Sequence, residues 1–251
     1  MPARAYRYAV PGDWYEKYRI RRYGFHGISY QYLLGETARR LSTPGEELQL
    51  LIAHLGNGCS AAAVKEGRCV DTSMGLTPLE GMVMGTRSGD LDPNILGFVA
   101  RQEGLDVHEL LDRLQRASGL LGLSGTSYDM RAVAAAAAEG NEDCRLAIDV
   151  FCYRVARSLL GLAAGLDRID ALVFSGGIGE LGAPIRSQVL DHLGVLGPIV
   201  DEGANELHGA ASEDGRISAR DSRLAVLVVP TNEEWMIARE TGRLLAHQAD
   251  Q

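Results

Sequence analysis

Apolar residues fall along the chain in two rhythms. Short unbroken runs at Leu48 to Ala53, Ala171 to Phe174 and Leu224 to Val229 read as strands buried on both faces, and Ala61 to Val64 with Cys69-Val70 reads as two short strands around a Lys65-Glu66-Gly67-Arg68 turn. Between the runs lie helical segments. The longest, Asn141 to Leu166, places Phe151, Val155, Leu159, Leu162 and Leu166 at spacings of three and four, one apolar stripe with Arg154 and Arg157 off it. Start and stop signals add helices at Trp14 to Tyr18, Ser29 to Leu41 with Ser29 as N-cap, Asp92-Pro93 to Ala100, Asp106 to Arg116, from Ser127 onward, at Ala183 to Leu193, and from Glu233 to about Ala246. Ser118 to Thr126 reads as a glycine-serine connection.

The chemistry concentrates where this pattern breaks. Asp71 to Pro93 holds four glycines and two prolines, so it forms neither a long helix nor a regular strand, yet it carries Asp71, Glu80, Arg87, Asp90 and Asp92 among apolar residues. Glycines around Arg87 let backbone approach a ligand while the guanidinium fork offers paired donors to phosphate or carboxylate. Upstream, Gly56, Gly58 and Ala61 match the short dinucleotide fingerprint, but a hairpin follows instead of the required helix. The turn His54-Leu55-Gly56-Asn57-Gly58 therefore suits an anion-binding concavity of another kind. The context test is met further on, where the Ala171 to Phe174 strand runs through Gly176-Gly177-Ile178-Gly179-Glu180-Leu181 into a helix. By residue type alone His26 reads as a core histidine, and Glu233 and Glu234 as carboxylates favoured by a helix N-terminus.

Taken together, Arg21 to Gly27, His54 to Gly58, Asp71 to Pro93, Ser175 to Glu180 and Pro230 to Glu234 resemble the acetate kinase family, in the family's order and over nearly the whole chain. The resemblance implies an α/β fold of the actin-like, sugar-kinase (ribonuclease H-like) type, a mixed five-stranded sheet with helices on both faces. It implies phosphoryl transfer between ATP and acetate, giving acetyl phosphate and ADP, with Mg2+. By the same resemblance His26 and Arg87 stabilise the phosphoryl group in flight. His54 to Gly58, Asp129-Met130-Arg131 and Gly177 to Leu181 contact the nucleotide, and Glu233 is associated with Mg2+. Two departures stand out: Tyr30 replaces a family histidine, and Leu181 replaces an asparagine. The resemblance also implies a homodimer through the C-terminal domain. It divides the chain into residues 1–45, an end piece of the family's first domain, and residues 46–251, a nucleotide-binding domain. Family residues that hold the carboxylate would lie before Met1, so this chain alone is expected to bind nucleotide weakly and turn over at background. A catalytically inactive nucleotide-binding fragment and a propionate kinase are the alternatives.

Composition narrows the rest. The 251 residues are 46% hydrophobic and 23% charged, with net charge −8, which suits a globular protein and argues against nucleic-acid or anionic-membrane partners. Cys59, Cys69, Cys144 and Cys152 show no metal-ligand spacing and read as reduced, buried thiols. Met1 to Tyr8 lacks an apolar core segment, so a cytoplasmic location is expected. With only Lys17 and Lys65 present there is no P-loop lysine, and neither a Gly-x-Ser-x-Gly elbow nor a His-Glu-x-x-His site occurs.

Overall fold

The structure, a computed structural model, describes residues 1–212 and 214–249. Three helices precede the sheet: α1 (Ala3–Tyr6), α2 (Gly12–Tyr18) and α3 (Gly27–Arg40). Strands β1 (Gln49–Leu55), β2 (Cys59–Lys65) and β3 (Arg68–Thr72) follow, then α4 (Asn94–Glu103), α5 (Val107–Arg116), α6 (Gly119–Ser124), α7 (Met130–Ala138) and α8 (Glu142–Ala163). The last part alternates, with β4 (Ala171–Ser175), α9 (Gly176–Leu181), α10 (Ala183–Asp191), α11 (Glu202–Glu206), β5 (Val226–Val228) and α12 (Glu233–Ala249).

The five strands lie in the order β3-β2-β1-β4-β5. β2 is antiparallel to both β1 and β3, whereas β4 runs parallel to β1 and to β5. All seven residues of β1 are buried, as its unbroken apolar run requires. Alternate residues feed two cores. Leu51, Ala53, Leu55, Leu172, Phe174 and Val226 face the α8 stripe of Phe151, Val155 and Leu159, while Leu50, Ile52, Ala171, Val173 and Leu227 face Tyr30 and Leu33 of α3. α12 packs beside α3, with Trp235 edge-on to Tyr32 at 5.8 Å. The mixed sheet with a helical layer on each face agrees with the sequence reading.

Three local expectations are corrected. Ser118 to Thr126 is not a plain connection: Gly119, at φ +63°, turns the chain into α6, whose Leu120 is fully buried, so packing overrides the weak helix propensity of glycine and serine. Ser29 is not an N-cap. α3 begins two residues earlier, after His26 in the left-handed conformation (φ 59°), and the Ser29 hydroxyl is engaged with side chains described below. The glycine turn after β4 is itself helical from Gly176, whose φ of +75° makes the sharp exit; a Cβ there would sit 2.7 Å from the Leu55 carbonyl oxygen. The four cysteines are free thiols, with Cys59, Cys144 and Cys152 buried and Cys69 partly so.

Because Phe151 is fully buried at the centre of the α8 face, Phe151→Ala is expected to cost about 3–5 kcal/mol in urea unfolding. A loss below about 1 kcal/mol would mean that this face is not the main core.

Candidate functional site

The carboxyl ends of β1, β4 and β5 lie side by side, because these three strands are parallel neighbours. In open α/β sheets this edge collects ligands, since the turns leaving it can converge while the strands stay fixed. Three turns leave it here: Gly56-Asn57-Gly58, Gly176-Gly177, and Val229 to Asn232.

On one side of the first turn a cleft of about 470 Å³ opens. Gly56 and Asn57 line it, with Asp129, Met130 and Arg131 from the start of α7 and Gly177, Ile178 and Leu181 from α9. Eight of the thirteen residues that the sequence reading assigned to nucleotide contact therefore share one cavity. Leu55 and Gly179 are buried behind it, and His54 and Gly58 lie on its other side. Glu180 turns inward: its Oε1 accepts from the Gly176 amide at 3.0 Å, the Thr231 amide at 3.1 Å and the Ser175 hydroxyl at 3.3 Å. That carboxylate thus braces the β4 turn against the β5 turn. Tyr128, Ala134, Gly182, Pro184 and Ile185 also line the cleft and were not foreseen, although the Gly182-Ala183-Pro184 helix start was a usable signal. Asp129 caps α7 by accepting from the Arg131 amide at 2.9 Å, and the Arg131 guanidinium holds its carboxyl down at about 2.

On the other side of the same turn sit His26, His54 and Arg87. The two imidazoles are stacked, centroids 4.3 Å apart and planes 19° apart. His26 Nδ1 is 2.8 Å from the Ser60 hydroxyl, which also contacts the Tyr30 hydroxyl. His54 Nδ1 is 2.9 Å from the Ser29 hydroxyl, itself 2.8 Å from the Thr231 hydroxyl. Burial, with His54 and Arg87 alongside and despite an opposing pull from Glu233, lowers the His26 pKa to about 4. Burial also lowers that of His54. Both rings are thus neutral near pH 7, with Nδ1 committed to a hydroxyl.

Arg87 reaches the same point from the long loop. Its Nη1 donates to the Pro78 carbonyl at 2.7 Å, and a Cβ added to Gly58 would lie 2.9 Å from its Nη2 and 3.7 Å from His26 Cε1. Gly58 is therefore the empty space in which Arg87 and His26 meet. Gly85 plays a similar part beside the cleft, where its amide donates to the Asn57 carbonyl at 3.1 Å and a Cβ would overlap Asn57 Oδ1. Glu233, the first residue of α12, is near enough to act on His26. Among the described residues no three His, Cys, Asp or Glu side chains gather as a metal cluster. The hydroxyls of Ser29, Ser60 and Thr231 escaped sequence reading because only strand register and helix packing bring Ser60 to His26, Ser29 to His54 and Thr231 to Ser29.

The strand order, one antiparallel hairpin beside parallel strands, and a cleft at their carboxyl ends define an actin-like α/β domain of the kind found in carboxylate kinases. The sequence pattern of the acetokinase family matches residues 1–239, and the chain belongs to that family. An acetate kinase from Deinococcus deserti is 53% identical over 249 residues, which are 99% of this chain and 62% of the relative. The crystal structure of Porphyromonas gingivalis acetate kinase superimposes with a TM-score of 0.91 at 39% identity, covering 98% of this chain and 61% of that one. A propionate kinase from Francisella tularensis gives 0.90 at 42%, covering 96% and 60%. The chain thus spans about three fifths of the length of the relatives it matches.

The His26 pKa sets a pH signature. Its folded value lies below the ordinary 6.5, so as pH falls from about 6.5 toward 4 the unfolded chain gains a proton that the folded one refuses. This group's contribution to stability is complete above that window and is lost as pH falls through it. In histidine NMR the His26 ring is expected not to titrate between pH 8 and pH 5. A midpoint near 6.5 would show that the pair is solvated.

Proposed function

We propose that this chain forms the nucleotide-binding and phosphoryl-transfer part of an acetate kinase, the enzyme that moves phosphate reversibly between ATP and acetate. The observation that supports this most is the position of the Gly56-Asn57-Gly58 turn. Gly56 and Asn57 line a cleft of adenosine size, while Gly58 opens onto Arg87 and His26. A nucleotide seated in that cleft would direct its phosphates along the turn toward these two side chains. Phosphoryl transfer asks little covalent chemistry of a protein, and a fixed cation with hydrogen-bond donors around the equatorial oxygens supplies most of the stabilisation. Arg87 provides the charge. The neutral His26 provides a donor that loses little to hydration. In this reading Asp129 to Arg131 with Gly177, Ile178 and Leu181 flank the adenosine, and Leu181 offers apolar contact where an asparagine would hydrogen-bond.

The donor set also fits Mg2+. Mg2+ needs few protein oxygens, so Glu233 at the start of α12, close enough to act on His26, would hold it together with water and substrate phosphates. Mg2+ would neutralise phosphate charge there, and Glu233 would hold it. We assign the cytoplasm as location, a homodimer through residues 46–251 as assembly, and residue 45 as the domain boundary. Acetate is preferred over propionate because curated relatives at about 50% identity are acetate kinases. Turnover is proposed for the whole enzyme and nucleotide binding for this chain.

Calorimetry with ADP and Mg2+ tests the binding claim. Heat of binding at up to millimolar ligand is expected, and a folded sample without it would contradict the reading. Gly85→Ala, which pushes Asn57 aside, is expected to weaken ADP by about tenfold, the scale of one displaced polar contact. Unchanged affinity would remove Asn57 from the nucleotide site.

A further inference from the structure

Glu80 lies in the long loop, seven residues before Arg87, and its carboxylate is gripped from both sides by the segment that leads to His26. Arg22 Nη2 donates to Oε1 at 2.6 Å, and the Tyr8 hydroxyl donates to Oε2. The grip is itself anchored. Arg22 Nη1 donates to the Ser73 carbonyl at 2.9 Å, and the Leu76 amide donates to the Tyr8 hydroxyl at 2.9 Å. The Tyr23 and Gly24 amides donate to the Gly75 carbonyl at 3.1 and 3.2 Å. Gly75 leaves the room this needs, since a Cβ there would overlap both Glu80 Oε2 and the Tyr8 hydroxyl. The contacts are charge-assisted, and only 18% of the Arg22 side chain and 31% of that of Glu80 are exposed, so they are screened less than an ordinary surface pair. Burial and the Glu80 carboxylate push the Tyr8 phenol up to about 12, which keeps its proton available for this bond.

Two residues before Glu80 is Pro78, whose carbonyl receives Arg87 Nη1. At the other end the loop closes on itself, with the Gly81 amide on Asp90 Oδ1 and the Asp90 amide on the Gly81 carbonyl, both at 2.8 Å. Pro78 itself is exposed. Its position is set by the turn that Glu80 pins.

We propose that Glu80, clamped between Arg22 and Tyr8, is a positioning residue for Arg87: it fixes the Pro78 carbonyl that aims the guanidinium, and it ties that arginine to the segment bearing His26. One ion pair then sets the spacing of the two groups that converge at Gly58. This rests on the reading of Arg87 as the cation that meets the transferring phosphoryl group.

The test uses the 251-residue chain with ADP and Mg2+, adding aluminium fluoride as a planar mimic of the phosphoryl group, and follows the Arg87 Nε–H resonance by NMR, assigned from its loss in Arg87→Ala. Wild-type affinity is expected to rise when aluminium fluoride is added. Glu80→Ala and Arg22→Ala should leave ADP affinity within about twofold, shift the Arg87 resonance, speed its solvent exchange, and cut the aluminium fluoride gain by about tenfold, the worth of one charge-assisted hydrogen bond. Tyr8→Phe, a milder change that keeps the loop folded, should move the resonance in the same direction. Adding Glu80→Ala to Arg87→Ala should cost nothing further, because a residue that acts through another has no effect in its absence. An unmoved resonance in folded Glu80→Ala or Tyr8→Phe, or losses that add to those of Arg87→Ala, would overturn the proposal. A wild-type chain that gains nothing from aluminium fluoride would instead count against the phosphoryl-transfer reading, with the resonance still deciding the clamp.

Discussion

Burial of β1 on both faces is the constraint on which the rest of the structure depends. A strand with no solvent face must hydrogen-bond along both edges and pack helices above and below, and β1 does both: β2 antiparallel on one edge, β4 parallel on the other, α8 over one face and α3 over the other. The change of direction across β1 is what makes its carboxyl end a site. Toward β2 the chain turns back at once through Gly56-Asn57-Gly58, a bend too tight for side chains that would fill the space between Arg87 and His26. Toward β4 the parallel register brings His54 beside Ser175, so the second glycine turn starts level with the first.

The electrostatics follow from the same burial. Burial lowers the pKa of both stacked imidazoles, and His26 is lowered further by His54 and then by Arg87, so the pair is neutral near pH 7. Hydroxyls of Ser29 and Ser60 take up the Nδ1 positions. Among the described residues at this point Arg87 supplies the positive charge beside two neutral imidazoles, with the Glu233 carboxylate near His26, so the direction of the guanidinium shapes the local field. Glu180 gives the opposite turn comparable rigidity by bridging β4 to the segment after β5.

Much of this was legible in the sequence, and for physical reasons. Strands buried on both faces announce themselves as unbroken apolar runs, and the α8 stripe of Phe151, Val155 and Leu159 lies in the core as its spacing implies. Glycines marked the turns at Gly56, Gly58 and Gly176, and at Gly58 and Gly176 a Cβ would meet close neighbours. What stayed hidden depends on tertiary register. The loop reading of Ser118 to Thr126 failed because Leu120 finds a buried place that local propensity cannot foresee. Glu180 was read as facing the nucleotide but turns inward, since three donors converge on it only when β4 and β5 are adjacent. The histidine partners Ser29 on α3 and Ser60 on β2, and the Thr231 hydroxyl that bonds Ser29, have no sequence pattern at all.

We propose that one turn, Gly56-Asn57-Gly58, joins the nucleotide cleft to the transfer site. The most direct measurement is a crystal structure of the chain with ADP and Mg2+. The adenosine is expected between Arg131, Ile178 and Leu181, with the β-phosphate over Asn57 and Gly58 and pointing at Arg87. A nucleotide bound elsewhere, or one seated in the cleft with its phosphates directed away from Gly58, would contradict it.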